Sequence, residues 1–200
     1  MSLALYVPRM DNTERNSLAK NRYIDSAVQN AIAYHGNRTA LLNLCDNPSL
    51  TVGVRDELWS KRGYVLKSQL VRNGHYLDNP ERYRDLYYGH INRWFYTHSG
   101  QWRLKSSFLS SYWHGTRSGY IATPSDILDD ITNKAIKSNF GTGPHDTYSH
   151  RYIVKGLIGH PNLSVESCVK LTTVKDEENQ KSAFERLVLL NTKGKNVSTG

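Results

Sequence analysis

One phrase occurs twice in this chain and limits its possible folds more than any other feature. Asn47-Pro-Ser-Leu-Thr-Val-Gly-Val-Arg-Asp-Glu-Leu58 returns as His160-Pro-Asn-Leu-Ser-Val-Glu-Ser-Cys-Val-Lys-Leu171, with Pro, Leu, Val and the final Leu in register and Ser or Thr at the same step. An apolar stretch precedes each copy, Ala40 to Cys45 and Ile153 to Ile158. A helix, a Pro turn and a second helix, recurring, is the pattern of an array whose neighbouring units supply each other's core.

The two copies define a template: apolar residues at positions 0, 4 and 5, which share one face of a helix, then a polar residue three steps after position 4. It fits Ala40, Leu44 and Cys45 before Asn47; Leu66, Leu70 and Val71 before Asn73; Leu104, Phe108 and Leu109 before Ser111. It fits Ile153, Leu157 and Ile158 before His160, and more weakly Ala183, Leu187 and Val188 before Leu190. The steps between copies are 26, 38, 49 and 30 residues, so the period is irregular. The surplus falls at 113–120 and 138–149, read as two long loops of the kind that carry function.

Start signals complete the helical pattern. Thr51 and Ser164 are natural N-caps for the helices that follow them. Asn79-Pro80 opens a helix over 81–96 with Tyr83, Leu86, Tyr87, Ile91, Trp94 and Phe95 on one face. Thr123-Pro124-Ser125-Asp126 opens another over 127–137, with Ile127, Leu128, Ile131 and Ile136 inward, and a single helix is expected over 17–34, carrying Ile24, Ala27, Val28, Ala31 and Ile32. No comparable stretch alternates apolar with polar, which argues against an extended sheet. The expectation is an all-α chain of about eight to ten helices in a single compact domain over 1–200, undivided by a linker. Polar, poorly held termini are expected over about 1–15 and 193–200.

Bulk properties fit a soluble chain with room for a core. Apolar residues make up 38%, mean hydropathy is −0.61, and no run approaches the ~20 residues of a membrane helix. The first residues are apolar but too short, and without a basic leader, for a signal peptide. Cys45 and Cys168, both inside helical patterns, read as buried thiols in a reducing compartment, so a cytoplasmic location is expected. The acidic run Asp176-Glu177-Glu178 reads as a solvated turn.

The net charge of +8 is concentrated. Between Lys61 and Tyr120, ten Lys/Arg face three Asp/Glu, and the same window holds 13 of the 21 aromatic residues. Cations that hold phosphates and rings that stack bases make a polyanion surface, whereas core rings under a solvated basic face would give the same composition. The candidate cations are Lys61, Arg62, Lys67, Arg72, Arg82, Arg84, Arg93, Arg103, Lys105 and Arg117. Arg82 and Arg93, eleven apart, share an azimuth of their helix. Tyr87, Tyr88, Trp94 and Trp113 are the stacking candidates. Glu81 and Asp85 lie close enough to pair with Arg82 or Arg84.

The Asn-Pro-Ser-Leu and His-Pro-Asn-Leu phrases, each followed by Ser/Thr and a helix ending in Leu, resemble variant leucine-rich repeats and HEAT-like helical repeats. That resemblance implies a curved helical stack that binds proteins or, in some members, DNA along a basic concave face. The cysteine cluster of the iron–sulfur variant is missing, so that cofactor is not expected. A second resemblance is local: Tyr112-Trp113-His114-Gly115-Thr116-Arg117 is similar to the strand that opens the nicotinamide pocket of ADP-ribosyltransferases. It implies an NAD site at His114, Gly115 and Thr116, with Tyr148 from a later glycine-rich element. That fold needs strands and a catalytic Glu on one of them, whereas Glu166, Glu177, Glu178 and Glu185 fall in helical or turn patterns.

His145, Asp146, His150 and His160 cluster in sequence, but no ligand spacing dictates a metal site, and none is expected. His160 stands where Asn47 stands in the other copy, which favours a turn role. No Gly-x-Ser-x-Gly elbow occurs. The function expected is that of a non-enzymatic binding or adaptor protein that engages nucleic acid or an acidic protein surface, without cofactor or membrane, of a kind that would suit a phage or mobile-element accessory protein.

Overall fold

The structure is a computed structural model that describes residues 2–61, 63–91, 121–137 and 144–195. Every regular element among the described residues is helical, and they group into two compact units, Met1–Leu77 and Asp78–Gly200.

In the first unit, two short 3-10 turns, Leu3–Leu5 and Val7–Arg9, lead to α1 (Asn12–Lys20), α2 (Ser26–His35), α3 (Arg38–Cys45), α4 (Val52–Ser60) and α5 (Tyr64–Arg72). The 3-10 turns pack on α2, and Val7 is fully buried, so the first residues are held and not frayed. The single helix expected over 17–34 is two helices. Asn21 breaks it by accepting the Tyr23 N–H on its own side chain, and Asp25 restarts it as an N-cap accepting from Val28 at 2.8 Å. A similar cap opens α1, where Asp11 and Glu14 form a reciprocal capping box. The α2–α3 connection is tight: a Cβ on Gly36 would stand 2.5 Å from the Ile32 carbonyl oxygen. Gly74, at φ 80°, ends α5 in the left-handed conformation glycine tolerates best.

The second unit holds α6 (Pro80–Ile91), α7 (Ser125–Lys137), α8 (Pro144–Gly159), α9 (Val165–Leu171) and α10 (Glu177–Lys195). Residues 144–149, expected in a loop, are the first turns of α8. The run Asp176-Glu177-Glu178 is also no turn. Asp176 caps α10 by accepting from Asn179 at 2.9 Å, and Glu178 is bridged by Arg151 and Lys155 of α8.

Within the units, α2-α3-α4-α5 and α7-α8-α9-α10 pack by one scheme. The first helix lies on the second and third, the second on the third and fourth, and the third on the fourth. The template residues explain why. Ala40, Leu44, Cys45, Leu66, Leu70, Val71, Ile153, Leu157 and Ile158 are all buried, and each large side chain so buried contributes about 1.5–3 kcal/mol of transfer free energy. In the weak last copy Ala183 is buried but Val188 is exposed. The copy at Leu104, Phe108 and Leu109 lies outside the described residues. On α7, Ala135 takes the inward place expected for Ile136, and on α2 Ala27 is exposed.

The recurrent phrase forms a recurrent corner. Asn47 Oδ1 accepts the Ser49 N–H at 2.9 Å, and its own N–H donates to Leu44. His160 Nδ1 likewise accepts the Asn162 N–H at 3.1 Å, and its N–H donates to Leu157. Asn21 builds a third such corner, accepting from Tyr23 at 2.9 Å and donating to Leu18. Each corner is followed by a buried apolar residue, Ile24 or Leu163, or a half-buried one, Leu50, and then by a cap position.

The corners are also tied to their predecessors. The Asn47 side-chain amide donates to Ala19 O at 3.3 Å and Asn21 O at 3.0 Å. In the second unit that duty passes to Asn162, which donates to Ile121 O at 3.1 Å and Thr123 O at 3.0 Å. Asn73 continues the series in the first unit by donating to Cys45 O and to Asp46. These bonds satisfy carbonyls that the helix ends leave open.

Candidate functional site

The candidate cations divide between the two units. In the first, Lys61 follows α4 and donates to the Ala33 carbonyl at the end of α2. Its ammonium also lies 3.9 Å from Glu57 and 6.0 Å from the centre of the Tyr34 ring. Lys67 of α5 lies 4.9 Å over Trp59, a buried ring that also meets Tyr76 edge-on. Arg72 is half-buried, and its Nε is enclosed without a hydrogen-bond partner.

In the second unit, Arg82 and Arg84 lie on α6. Arg84 forks onto Asp126 of α7, Nε to Oδ2 at 3.0 Å and Nη2 to Oδ1 at 2.9 Å, while Nη1 reaches Glu81 at 2.6 Å. Those bonds hold the Asp126 carboxyl below the usual carboxylate range and the guanidinium above its own. Two carboxylates therefore occupy the donors that a phosphate would need. Arg62, Arg93, Arg103, Lys105 and Arg117 lie outside the described residues.

Of the stacking candidates, Tyr87 is a core residue. Its ring is fully buried, and its hydroxyl donates to Asp130 Oδ2 at 2.7 Å. Burial, with the Asp130 bond, pushes the phenol well above its ordinary value. Tyr88 is partly exposed and meets the Tyr87 ring edge-on at 4.9 Å. Trp94 and Trp113 lie outside the described residues.

The remaining edges of α7 are also bonded. Asp129 Oδ1 accepts from Ser164 at 2.6 Å and Ser167 at 2.7 Å, and Asn133 accepts from Lys170 at 3.0 Å. With Asp126 and Asp130 turned to α6, the helix is joined on both flanks by side-chain bonds. These residues position helices.

The alternative NAD segment, His114, Gly115 and Thr116, lies outside the described residues. Tyr148 sits on α8, and Glu166, Glu177, Glu178 and Glu185 are on α9 and α10, so none of the named residues that are described is carried on a strand. Among the described residues no group of His, Cys, Asp and Glu is arranged to hold a metal ion.

Sequence reasoning passed over the rings that do face solvent beside a cation. Tyr34, at 77% exposure, carries Lys61 over its face and His35 edge-on at 4.8 Å. Tyr23, at 82%, carries the Arg22 guanidinium at 5.1 Å. Both stand off the apolar stripe of their segment, which is the signal that marks a ring as surface and not core. No protein-family model matches this chain, and neither a curated protein nor a solved structure does.

Proposed function

We propose that this chain is a non-enzymatic binding protein, a HEAT-like helical stack that engages nucleic acid through the basic, aromatic edge of its first unit. The observation that carries this reading is Tyr34 with Lys61 above it: an exposed ring for a base to stack on and a cation for the adjoining phosphate. Tyr23 with Arg22 repeats the pairing at the other end of α2. Stacking on such a ring contributes about 1–3 kcal/mol per base and is indifferent to sequence. The phosphate contacts make the affinity fall with salt.

Fluorescence anisotropy with labelled single-stranded DNA and RNA tests it. Binding should weaken steeply as salt rises, and Tyr34→Ala and Lys61→Gln should each weaken it on the order of tenfold at fixed salt. Salt-insensitive binding, or affinity untouched by both changes, overturns the proposal. If poly-glutamate binds with the same loss in Lys61→Gln and none in Tyr34→Ala, the partner is instead an acidic protein surface.

A further inference from the structure

Tyr23 stands just before α2 and Tyr34 in its last turn, and the helix face between them is low. Val28, Gln29, Ile32 and Ala33 form the buried side of α2. Ala27, Asn30 and Tyr34, spaced by three and four, fall on the opposite side and are exposed. Between the rings that side carries small residues, Ala27, Asn30 and the half-buried Ala31.

Both ends of this lane are held. Arg15 Nη1 donates to His35 O at 2.6 Å and Lys61 to Ala33 O, so the carbonyls on either side of Tyr34 are each fixed by a cation from another helix or its end. At the other end the Tyr23 N–H is bonded to Asn21 Oδ1 at 2.9 Å, in the corner that Asn47 ties down. A platform already ordered gives up little freedom when a base settles on it. Each ring has its own cation, Lys61 at 6.0 Å and Arg22 at 5.1 Å. Two carboxylates on the same edge are engaged, Glu57 with Lys61 and Asp25 with the Val28 N–H.

The separation of the rings limits what can occupy both. α2 has ten residues and is about 15 Å long. Nucleotides of a stacked strand rise about 3.4 Å each, so about four or five cover it. Bases inside a duplex are covered by their neighbours and reach a protein ring only at the cost of unstacking.

We infer, in a step that rests on the nucleic-acid reading above, that Tyr23 and Tyr34 are paired stacking platforms for one unpaired strand. A strand of about five nucleotides or more engages both rings, with Arg22 and Lys61 on its phosphates.

Anisotropy with labelled thymidine oligomers of about two to ten nucleotides, and with a hairpin duplex, tests the inference. Affinity should step up on the order of tenfold as the oligomer passes about five nucleotides, and rise only slowly beyond. Tyr23→Ala and Tyr34→Ala should each abolish the step, and Tyr23→Phe, which keeps a ring, should retain it. The duplex should bind on the order of tenfold more weakly than a strand of equal length. A step that survives Tyr23→Ala, no step at all, or a duplex bound as tightly as the strand overturns the paired platforms and leaves the nucleic-acid reading standing. Absence of binding at every length overturns both.

Discussion

Asn47 and His160 hold the same bond in different units: each accepts the backbone N–H two residues ahead, at 2.9 and 3.1 Å. An amide and an imidazole are interchangeable for that purpose because each offers one acceptor at a similar reach from Cα. They differ in what remains. The amide keeps an NH₂ that donates to two carbonyls of the preceding corner, and in the second unit Asn162 supplies those donors.

Asn47→His should therefore retain the corner but leave Ala19 O and Asn21 O short of their donor, costing about 1–3 kcal/mol. Adding Ser49→Asn, which places an amide where Asn162 stands, should recover much of that loss. Urea unfolding of the four members of the cycle measures the coupling. Strict additivity of the two changes would show that the corners are not equivalent.

Tyr87→Phe removes one buried hydroxyl and its bond to Asp130, and should destabilise the fold by about 1 kcal/mol. Tyr87→Ala, which empties a fully enclosed site, should cost about 3–5 kcal/mol. Neither Tyr87→Phe nor any other change confined to that hydroxyl should alter nucleic-acid affinity. Calorimetry with a parallel anisotropy titration separates the two effects.

His75 gives the first unit an acid limb. Its Nε2 meets Cys45 O at 2.9 Å, so the neutral ring donates there. Burial, chiefly, holds its pKa below the usual 6.5, with Arg55 adding to the effect and the Cys45 carbonyl and Asp46 opposing it. As the pH falls, the unfolded chain takes up this proton first. The contribution is thus intact above 6.5 and declines from there down to the folded value, where the slope ends. His75→Gln should flatten that part of the stability–pH curve; an unchanged slope in urea titrations between about pH 7.5 and 5.5 would assign the limb to other groups.

Cys45 is fully enclosed, and burial, with Asp46 nearby, pushes its thiol up to about 12. Cys168, also buried, is raised too, and its thiol lies 3.4 Å from Ala183 O. An aromatic disulfide reagent at neutral pH should label neither in the folded chain and both in denaturant. Rapid labelling of Cys45 without denaturant would mean that α3 opens locally.

The apolar stripes were legible in the sequence because burial follows a 3.6-residue period, and Ala40, Leu44 and Cys45 or Ile153, Leu157 and Ile158 keep it. The Asn21 corner was not. It lacks the Pro that anchors the other two, and Ala19, Tyr23 and Ala27 keep a helical spacing of four across it. Its signal was Asn followed three residues later by Ile24 and then by the cap Asp25. The basic window was legible as composition only. A charge count cannot tell Arg84, forked onto Asp126, from Lys61 beside an exposed ring, because the partners lie on other helices. Tyr87 fell to the same ambiguity: a ring on the inner edge of a stripe and one on the outer edge read alike until α7 is in place.

The corner amides of Asn47, Asn73 and Asn162 all reach toward carbonyls earlier in the chain. Growth of each unit on the ribosome is then self-templating, since every new bend emerges to find its acceptors already set. The same polarity makes trimming unequal for the bends themselves: deletion from the far end leaves the Asn47 amide its acceptors, whereas removing residues 12–21 takes both of them away and loosens the bends that follow.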